Sequence, residues 1–313
     1  LQTLHASTYW GAIPASLLGI LSRKPVLLTV HEIFWKLRTR YKSRKTARLY
    51  RLFERMIFQF PFAKYHCVSL YTLNALRLVY GIPDKKLFLA YNGVDYEFWS
   101  REKVSKQESL EVQKKFWLTG KRNLLYFGHT GISKGIDTLV EAIPELLEQD
   151  PELQLIFNLI PAQRDTFIKE KIQTFLADLP PSQKGRVKIW NGLPKEELRA
   201  LVANVQAVVA PSLSEGFWSV HTETLAMGTP LITTQVASLP EVIWGKTVFF
   251  APWDKKELIT AVIHLKSEKC TPLPEKKFSW DKQYAILLEQ YQNLWVDSEL
   301  NSHRKVKLKT PKH

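Results

Sequence analysis

Residues 211–234 read PSLSEGFWSVHTETLAMGTPLITT. The run just before and into it, "AVVAPS" (207–212), is short, apolar and β-rich and predicts a strand; "LSEGF" is a loop; "SVHTETLAM" predicts a helix that stops at Gly228. The loop therefore leads from the carboxyl end of a strand into a helix N-terminus, the edge at which parallel α/β sheets hold ligands. Backbone N–H groups at a helix start make an anion site, and Gly216 lets the backbone come close to a ligand. Glu215 stands just before the helix and Glu223 about one turn inside it. Carboxylates accept hydrogen bonds and so suit sugar hydroxyls, which donate. The pair fits two polyols with a phosphate between them. An exposed glutamate plus a helix-surface glutamate fits the spacing equally well.

Outward from this stretch the same alternation continues. Strand-like runs at 25–30, 65–70, 123–128, 153–160, 186–192 and 230–234 are separated by periodic segments such as 135–149, 164–179 and 195–204. The pattern predicts βαβ units, parallel sheets and both faces covered. A charged stretch without strand character, "REKVSKQESLEVQKKF", places a domain boundary near 98–120. The expected organisation is a first α/β domain over 1–100, a second over 101–279, a helix over 280–296 that rejoins the first, and a basic, disordered tail over 297–313.

The chain has 313 residues, 45% hydrophobic and 24% charged, as two soluble domains would. No run reaches the ~20 apolar residues of a membrane span, and the opening residues lack the basic region of a signal peptide. Cys67 and Cys270 sit in no paired motif, which argues against a disulfide framework or zinc site and for a reducing compartment. The first residue is Leu1 rather than methionine, as in a fragment or a trimmed product. Net charge is +14, so an anionic partner is expected. Residues 35–60 carry nine Lys or Arg and a single acid, Glu54. On a helical wheel Arg44, Arg48, Arg51 and Arg55 share one face, with Leu49, Leu52, Phe53, Met56 and Phe60 beside it. Such a helix suits an anionic membrane surface; a core-packed helix with a solvated basic side suits the pattern as well. Nucleic acid has the charge in its favour, but no motif accompanies it.

A second constellation is YFGHTGISKGIDTLVEAI, residues 126–143. A strand enters a loop with glycines at 128, 131 and 135 and then a helix, and Lys134 stands beside the helix start. Glycines, a helix N-terminus and one lysine are phosphate-binding chemistry, although the Walker spacing is absent. His5 and His66 read as structural histidines, and His221 as a helix-start residue outside the site.

Together these motifs resemble glycosyltransferase family 4. The family carries G-R-x-x-x-x-K-G after the first strand of its second domain, then E-G-F-G with glutamates spaced E-x7-E, then G-x-P-x-[IV] and G-x-P-E. Here the corresponding residues are Gly128-His129 through Lys134-Gly135, Glu215-Gly216-Phe217 through Glu223, Gly228-Thr229-Pro230-Leu231-Ile232, and Ser238-Leu239-Pro240-Glu241. In the first domain "LLTVHE" (27–32), "CVSLYT" (67–72) and "YNGVDYEFW" (91–99) match in family order. The resemblance covers residues 1–296 and implies a GT-B fold: two Rossmann-like parallel-sheet domains facing a cleft, the first one incomplete.

It also implies roles. Glu215 contacts donor-sugar hydroxyls, Glu223 the nucleotide ribose, and backbone amides around Phe217, Trp218 and Ser219 face the donor. Lys134 with its neighbour at 129 neutralises the diphosphate, close to Gly128 and Gly135. His31 reaches the sugar from the other domain, and Asn92 lies on the acceptor side. The resemblance implies an enzyme that retains anomeric configuration, and no D-x-D motif occurs, so neither a metal nor a cofactor is expected. Its partners are a nucleotide sugar, a glycan or lipid-linked hydroxyl acceptor and an anionic membrane surface, and its place is the cytoplasm or the inner membrane face. Four features depart from the family. His129 replaces an arginine, Trp218 a small residue, and Ala237-Ser238 a double glycine. The glycine-rich loop and opening strands of the first domain are missing. The rival readings are a non-catalytic nucleotide-sugar-binding remnant and a basic nucleic-acid binder.

Overall fold

The computed structural model describes residues 2–33, 44–160, 166–217, 219–266 and 272–307. The chain divides into two units: residues 1–93 with 278–313, and residues 94–277.

The first unit is a four-stranded parallel sheet in the order β1 (Leu4–Ser7), β2 (Val26–Val30), β3 (Lys64–Cys67), β4 (Leu87–Leu89). Helices α1 (Ala12–Ser22), α2 (Arg44–Phe58) and α3 (Leu70–Tyr80) connect consecutive neighbours. Crossovers that advance in one direction with the usual right hand place all three helices on one face. One apolar cluster confirms this arrangement: Val26, Leu28, Val30, Tyr65 and Cys67 of the sheet pack with Ala12, Ile57, Phe58, Leu73 and Leu76 of the helices. Ser69 caps α3 by accepting the Thr72 N–H at 3.1 Å.

On the other face a polar relay crosses the strands. His5 Nε2 meets Thr29 Oγ1 at 2.6 Å, Thr29 Oγ1 meets His66 Nδ1 at 3.0 Å, and His66 Nε2 lies 2.7 Å from the Ala90 carbonyl. Burial draws the His66 imidazole down to about 4, so it works as a neutral bridge. The closing helix, Trp280–Lys307, reaches the same relay through Tyr291, whose hydroxyl lies 2.5 Å from His5 Nδ1.

Two sequence expectations need correction here, and one that was left open is narrowed. The tail expected to be disordered from residue 297 continues the closing helix to Lys307. The apolar residues of α2 singled out by the wheel do not pack inward: Leu49, Leu52, Phe53 and Met56 are exposed, and Ala47, Glu54, Ile57 and Phe58 face the core. Glu54 is admitted there because the Tyr80 hydroxyl donates to it at 2.5 Å and Tyr9 contacts it as well. Finally, the unit boundary falls at Gly93 rather than at residue 100. Arg101 draws the intervening segment onto the second unit by donating to the Met227 and Ala203 carbonyls and to Thr229 Oγ1.

The second unit is a six-stranded parallel sheet in the order β10-β9-β8-β5-β6-β7. Its strands are β5 (Arg122–His129), β6 (Leu153–Ile160), β7 (Val187–Asn191), β8 (Ala207–Ala210), β9 (Leu231–Thr234) and β10 (Thr247–Phe250). Its main helices are α4 (Lys106–Lys115), α5 (Ile136–Gln149), α6 (Thr166–Asp178), α7 (Lys195–Asn204), α8 (Ser219–Ala226) and α9 (Lys255–Lys266). The strand order advances outward from β5 to β7, then restarts at β8 on the other side of β5. A doubly wound sheet opens its ligand crevice at such a reversal, outside the carboxyl ends of the two central strands. The loops that leave β5 and β8 are the two that carry Lys134 and Glu215.

Candidate donor-binding site

The two central loops are stitched together by backbone. The Ser133 carbonyl accepts the N–H of Leu213 at 2.7 Å and that of Ser214 at 3.3 Å. Gly135 makes the approach possible, with φ of +62° and no side chain where a Cβ would run into the Pro211 carbonyl. This brings Lys134 Nζ to 3.1 and 3.2 Å from the two oxygens of Glu215. Glu215 is wholly buried and Lys134 nearly so. Burial pushes the Glu215 carboxyl above its ordinary range; the lysine charge, followed by the Ser212 hydroxyl, opposes the shift. The Glu215 carbonyl is fixed in turn by the Ser238 hydroxyl at 2.8 Å. Serine at the family's glycine position thus gives a hydrogen bond, while Ala237 beside it keeps a glycine-like φ of +49°.

Glu223 lies on α8, half-buried, with its carboxyl raised to about 7. Desolvation raises it; Lys195 and a hydrogen bond from the Trp99 side chain pull the other way. His221, on the same helix, is completely buried and held neutral, its imidazole drawn down to about 3 by burial and by Lys134. Its Nε2 meets Thr233 Oγ1 at 2.9 Å, and Nδ1 has no hydrogen-bond partner among the described residues. Thr130 Oγ1 and Asn158 Oδ1 are also buried and unpartnered, at the carboxyl ends of β5 and β6. Buried polar atoms are normally satisfied, so these orphans mark the same edge as a place for a bound group or water. The sequence offered a signal for Asn158, an amide near the carboxyl end of the apolar run "LQLIFNLI"; Thr130 and Trp99 carried none.

The remaining expected residues divide clearly. His129 ends β5 with an exposed side chain, and its carbonyl accepts the Tyr126 hydroxyl at 2.7 Å. Gly128 precedes it with φ of +137°. Gly216 is buried, Phe217 half-buried, and Ser219 opens α8; Trp218 lies outside the described residues. Among the described residues, no three His, Cys, Asp or Glu side chains converge into a metal-holding group.

In the first unit His31 follows β2 with an exposed side chain, its Nε2 3.4 Å from Ser7 Oγ. Desolvation lowers its imidazole below the ordinary range. Tyr9 braces the next residue, its hydroxyl 2.8 Å from the Glu32 carbonyl. Asn92 accepts from Gln283 Nε2 at 2.8 Å, which ties its loop to the closing helix. Arg48 and Arg55 are exposed, and Arg51 folds back toward the Ala47 carbonyl; the Arg44 side chain lies outside the described set.

Two family models match the chain: Glycosyltransferase Family 4 over residues 2–98 and Glycosyl transferases group 1 over residues 121–268. The first unit thus matches family 4 and the second the group 1 glycosyltransferases. An MMP alpha-(1->4)-mannosyltransferase of Mycolicibacterium hassiacum is 36% identical over 35% of this chain and 25% of its own length. A glycosyltransferase of Methanocaldococcus jannaschii is 26% identical over 65% of this chain and 53% of its own. The chain thus spans between a quarter and just over half of these curated relatives. Among solved structures, a glycosyltransferase from Rickettsia africae superposes with a TM-score of 0.73 at 17% identity, covering 94% of this chain and 77% of that one. Anabaena HepE in complex with UDP and glucose gives 0.73 at 14% identity, covering 93% and 78%. The fold is GT-B.

Proposed function

We propose that this protein moves a sugar from a nucleotide-sugar donor to a hydroxyl acceptor, with retention of configuration and without a metal ion. The observation that carries the reading is the placement of Lys134, Glu215 and Glu223 at the carboxyl edge where the strand order reverses. Anabaena HepE, which shares the fold, was solved with UDP and glucose, and the Mycolicibacterium relative is a mannosyltransferase by name. Glu223 takes the ribose. Lys134 and the N–H groups at the start of α8 take the diphosphate, where negative charge grows as the sugar–phosphate bond breaks. Lys134 is paired with Glu215. An incoming diphosphate competes for that lysine and releases carboxylate oxygens to accept sugar hydroxyls. The acceptor attacks from the face the diphosphate leaves, so Glu215 binds the sugar rather than attacking it. His31 contacts the sugar, and Asn92 belongs to the acceptor side. The absence of D-x-D from the sequence supports the metal-free reading.

Calorimetry with UDP and UDP-glucose tests the assignment. Glu223→Gln weakens both ligands, because both carry the ribose. Glu215→Gln leaves UDP almost unchanged and impairs UDP-glucose, each loss being about 1.5–3 kcal/mol for a hydrogen bond to a charged group. Equal loss of UDP in both variants refutes the separate roles.

The acceptor in this reading is a glycan or lipid-linked hydroxyl met at an anionic membrane surface. No described helix is long and apolar enough to cross a membrane. The outer face of the first unit nevertheless exposes Leu17, Leu18 and Leu21 on α1 and Leu49, Leu52 and Met56 on α2, beside Arg48 and Arg55. Each basic residue near an anionic bilayer contributes about 1 kcal/mol, screened by salt. The protein is expected to sediment with anionic liposomes at low salt and to stay in solution with neutral ones. Changing Arg44, Arg48, Arg51 and Arg55 to glutamine removes the sedimentation and spares nucleotide binding. A quadruple variant that sediments like the parent would show that this helix does not bind the surface.

A further inference from the structure

The closing helix carries more aromatic surface than its seat on the first sheet buries. Its opening turns read WDKQYAILLEQYQNLW, residues 280–295. On the helical wheel Trp280, Tyr284, Tyr291 and Trp295 fall within a sector of about 60°, and the buried Gln283 and Leu294 lie beside it. Two anchors fix where that sector points. At the start of the helix Trp280 rests on Gly93 so closely that no Cβ would fit there, and Gln283 Nε2 donates to Asn92 Oδ1 at 2.8 Å. Further along, Tyr291 stands edge-on to the His5 ring of β1, with 5.8 Å between centroids. Tyr284, two turns before Tyr291, projects from the same face at a point between the two anchors. Yet Trp280 is 52% exposed and Tyr284 67%, and Trp295 and Leu288 are exposed as well. The anchors pin the row without covering it.

The surroundings of the row narrow what can cover it. Charges along the helix from 280 to 296 are Lys282 against Asp281 and Glu289, so an anionic surface finds no attraction here. The exposed arginines of α2 lie on the opposite face of the sheet, and a bilayer seated on them leaves this row turned away. The polar groups within reach of the row are neutral hydrogen-bonding ones, the Asn92 amide at one end and His5 with Ser7 at the other, both exposed on one face of β1. Aromatic rings present an apolar face of negative π density. A pyranose ring matches it with a face of weakly positive C–H groups, and the hydroxyls around its rim bond to amides and imidazoles. From Trp280 to Trp295 the row covers fifteen positions, about 22 Å of helix, a length that suits a chain of sugars.

We infer that this aromatic row is a binding track for an uncharged sugar chain, with Trp280 and Tyr284 as stacking platforms beside Asn92. The inference rests on the transferase reading, which puts the acceptor on this unit, and it names the acceptor's class as a neutral oligosaccharide.

Maltohexaose, cellohexaose, mannohexaose and xylohexaose serve as probes against the full chain. At least one is expected to shift the Trp280 indole N–H resonance, assigned by its loss in Trp280→Phe. The same sugar should bind Tyr284→Ala roughly three- to tenfold more weakly than the parent, and Tyr284→Phe about equally, because the ring rather than its hydroxyl forms the platform. Tyr284 is the informative position, since an exposed side chain can be removed with little effect on folding. Affinity for UDP should be unchanged in both variants. If none of the four sugars shifts Trp280, or if Tyr284→Ala binds like the parent, the inference falls while the donor assignment stands. Retention of the parent on phosphatidylcholine vesicles, lost in Tyr284→Ala, would assign the row to lipid and overturn the inference too. A chain that binds a hexasaccharide through Trp280 but neither UDP nor UDP-glucose overturns the transferase reading instead, and with it the row's place as an acceptor track.

Discussion

Lys134→Ala unfolds more easily than the parent by about 3–5 kcal/mol at pH 8, the cost of leaving one partner of a buried ion pair alone. Nothing else in the site carries so much charge out of water. Glu215 is 0% exposed, and both its oxygens lie within 3.2 Å of the lysine nitrogen. The Ser212 hydroxyl remains, but a hydroxyl does not replace a cation. The deficit therefore depends on pH. The Glu215 carboxyl already sits above its ordinary value of 4.5 when folded, and removing the lysine raises it further. An acid whose folded pKa exceeds its unfolded one favours the protonated native state. Its contribution is complete below the unfolded value and is lost as pH rises through the folded value, by about 1.4 kcal/mol per unit. Denaturant titrations near pH 5 and pH 8 should thus show a small deficit and a large one. Replacing both partners, Lys134→Met with Glu215→Leu, recovers much of the loss because no charge is left buried. A deficit equal at both pH values, or a double variant weaker than the single one, contradicts the pair's role. Diphosphate affinity falls separately in Lys134→Ala, by roughly 1.5–3 kcal/mol. The double variant does not restore it, so binding and stability can be told apart.

The chemistry was legible where it depended on neighbours in sequence. Glycine 135, Lys134 and the two glutamates stand within a turn of a helix start, and strand–loop–helix patterning locates helix starts. What was not legible depended on partners far along the chain. Strands β1, β4 and β10 are only three or four residues long, too short for an alternation pattern to register. Glu54 reads as one acid in a basic helix, yet Tyr9 and Tyr80 make it a core residue. Trp99 closes a motif assigned to the first domain, and only Arg101 and its helix-end carbonyls reveal that it belongs to the second. Leu49, Leu52 and Met56 gave a stripe that predicts burial as readily as a surface. The wheel gave no way to choose, since Ala47, Ile57 and Phe58 supply a second apolar face that took the core.

Gly135→Ala is the second large effect, about 3–4 kcal/mol, in the range reserved for changes with a specific structural cause. Two costs combine. The residue has φ of +62°, a left-handed conformation that costs an alanine roughly 1 kcal/mol. The added Cβ would also lie 1.9 Å from the Pro211 carbonyl oxygen and 3.0 Å from Leu213 Cγ. A flexible side chain could yield to such an intrusion, but backbone on the neighbouring loop moves only by giving up the two hydrogen bonds that Ser133 accepts from Leu213 and Ser214. Gly228 separates the two costs. It has φ of +67° and nothing within 4 Å of an added Cβ, so Gly228→Ala carries the conformational cost alone. The gap between the two variants, about 2 kcal/mol by denaturant titration, measures the steric part. Nucleotide binding should follow the same division. Gly135→Ala moves Lys134 and the Glu215 loop apart and loses UDP affinity, while Gly228→Ala, at the far end of α8, keeps it. If the two variants melt together and bind alike, the loops are not locked through Gly135, and the pairing of Lys134 with Glu215 must be held by the side chains alone.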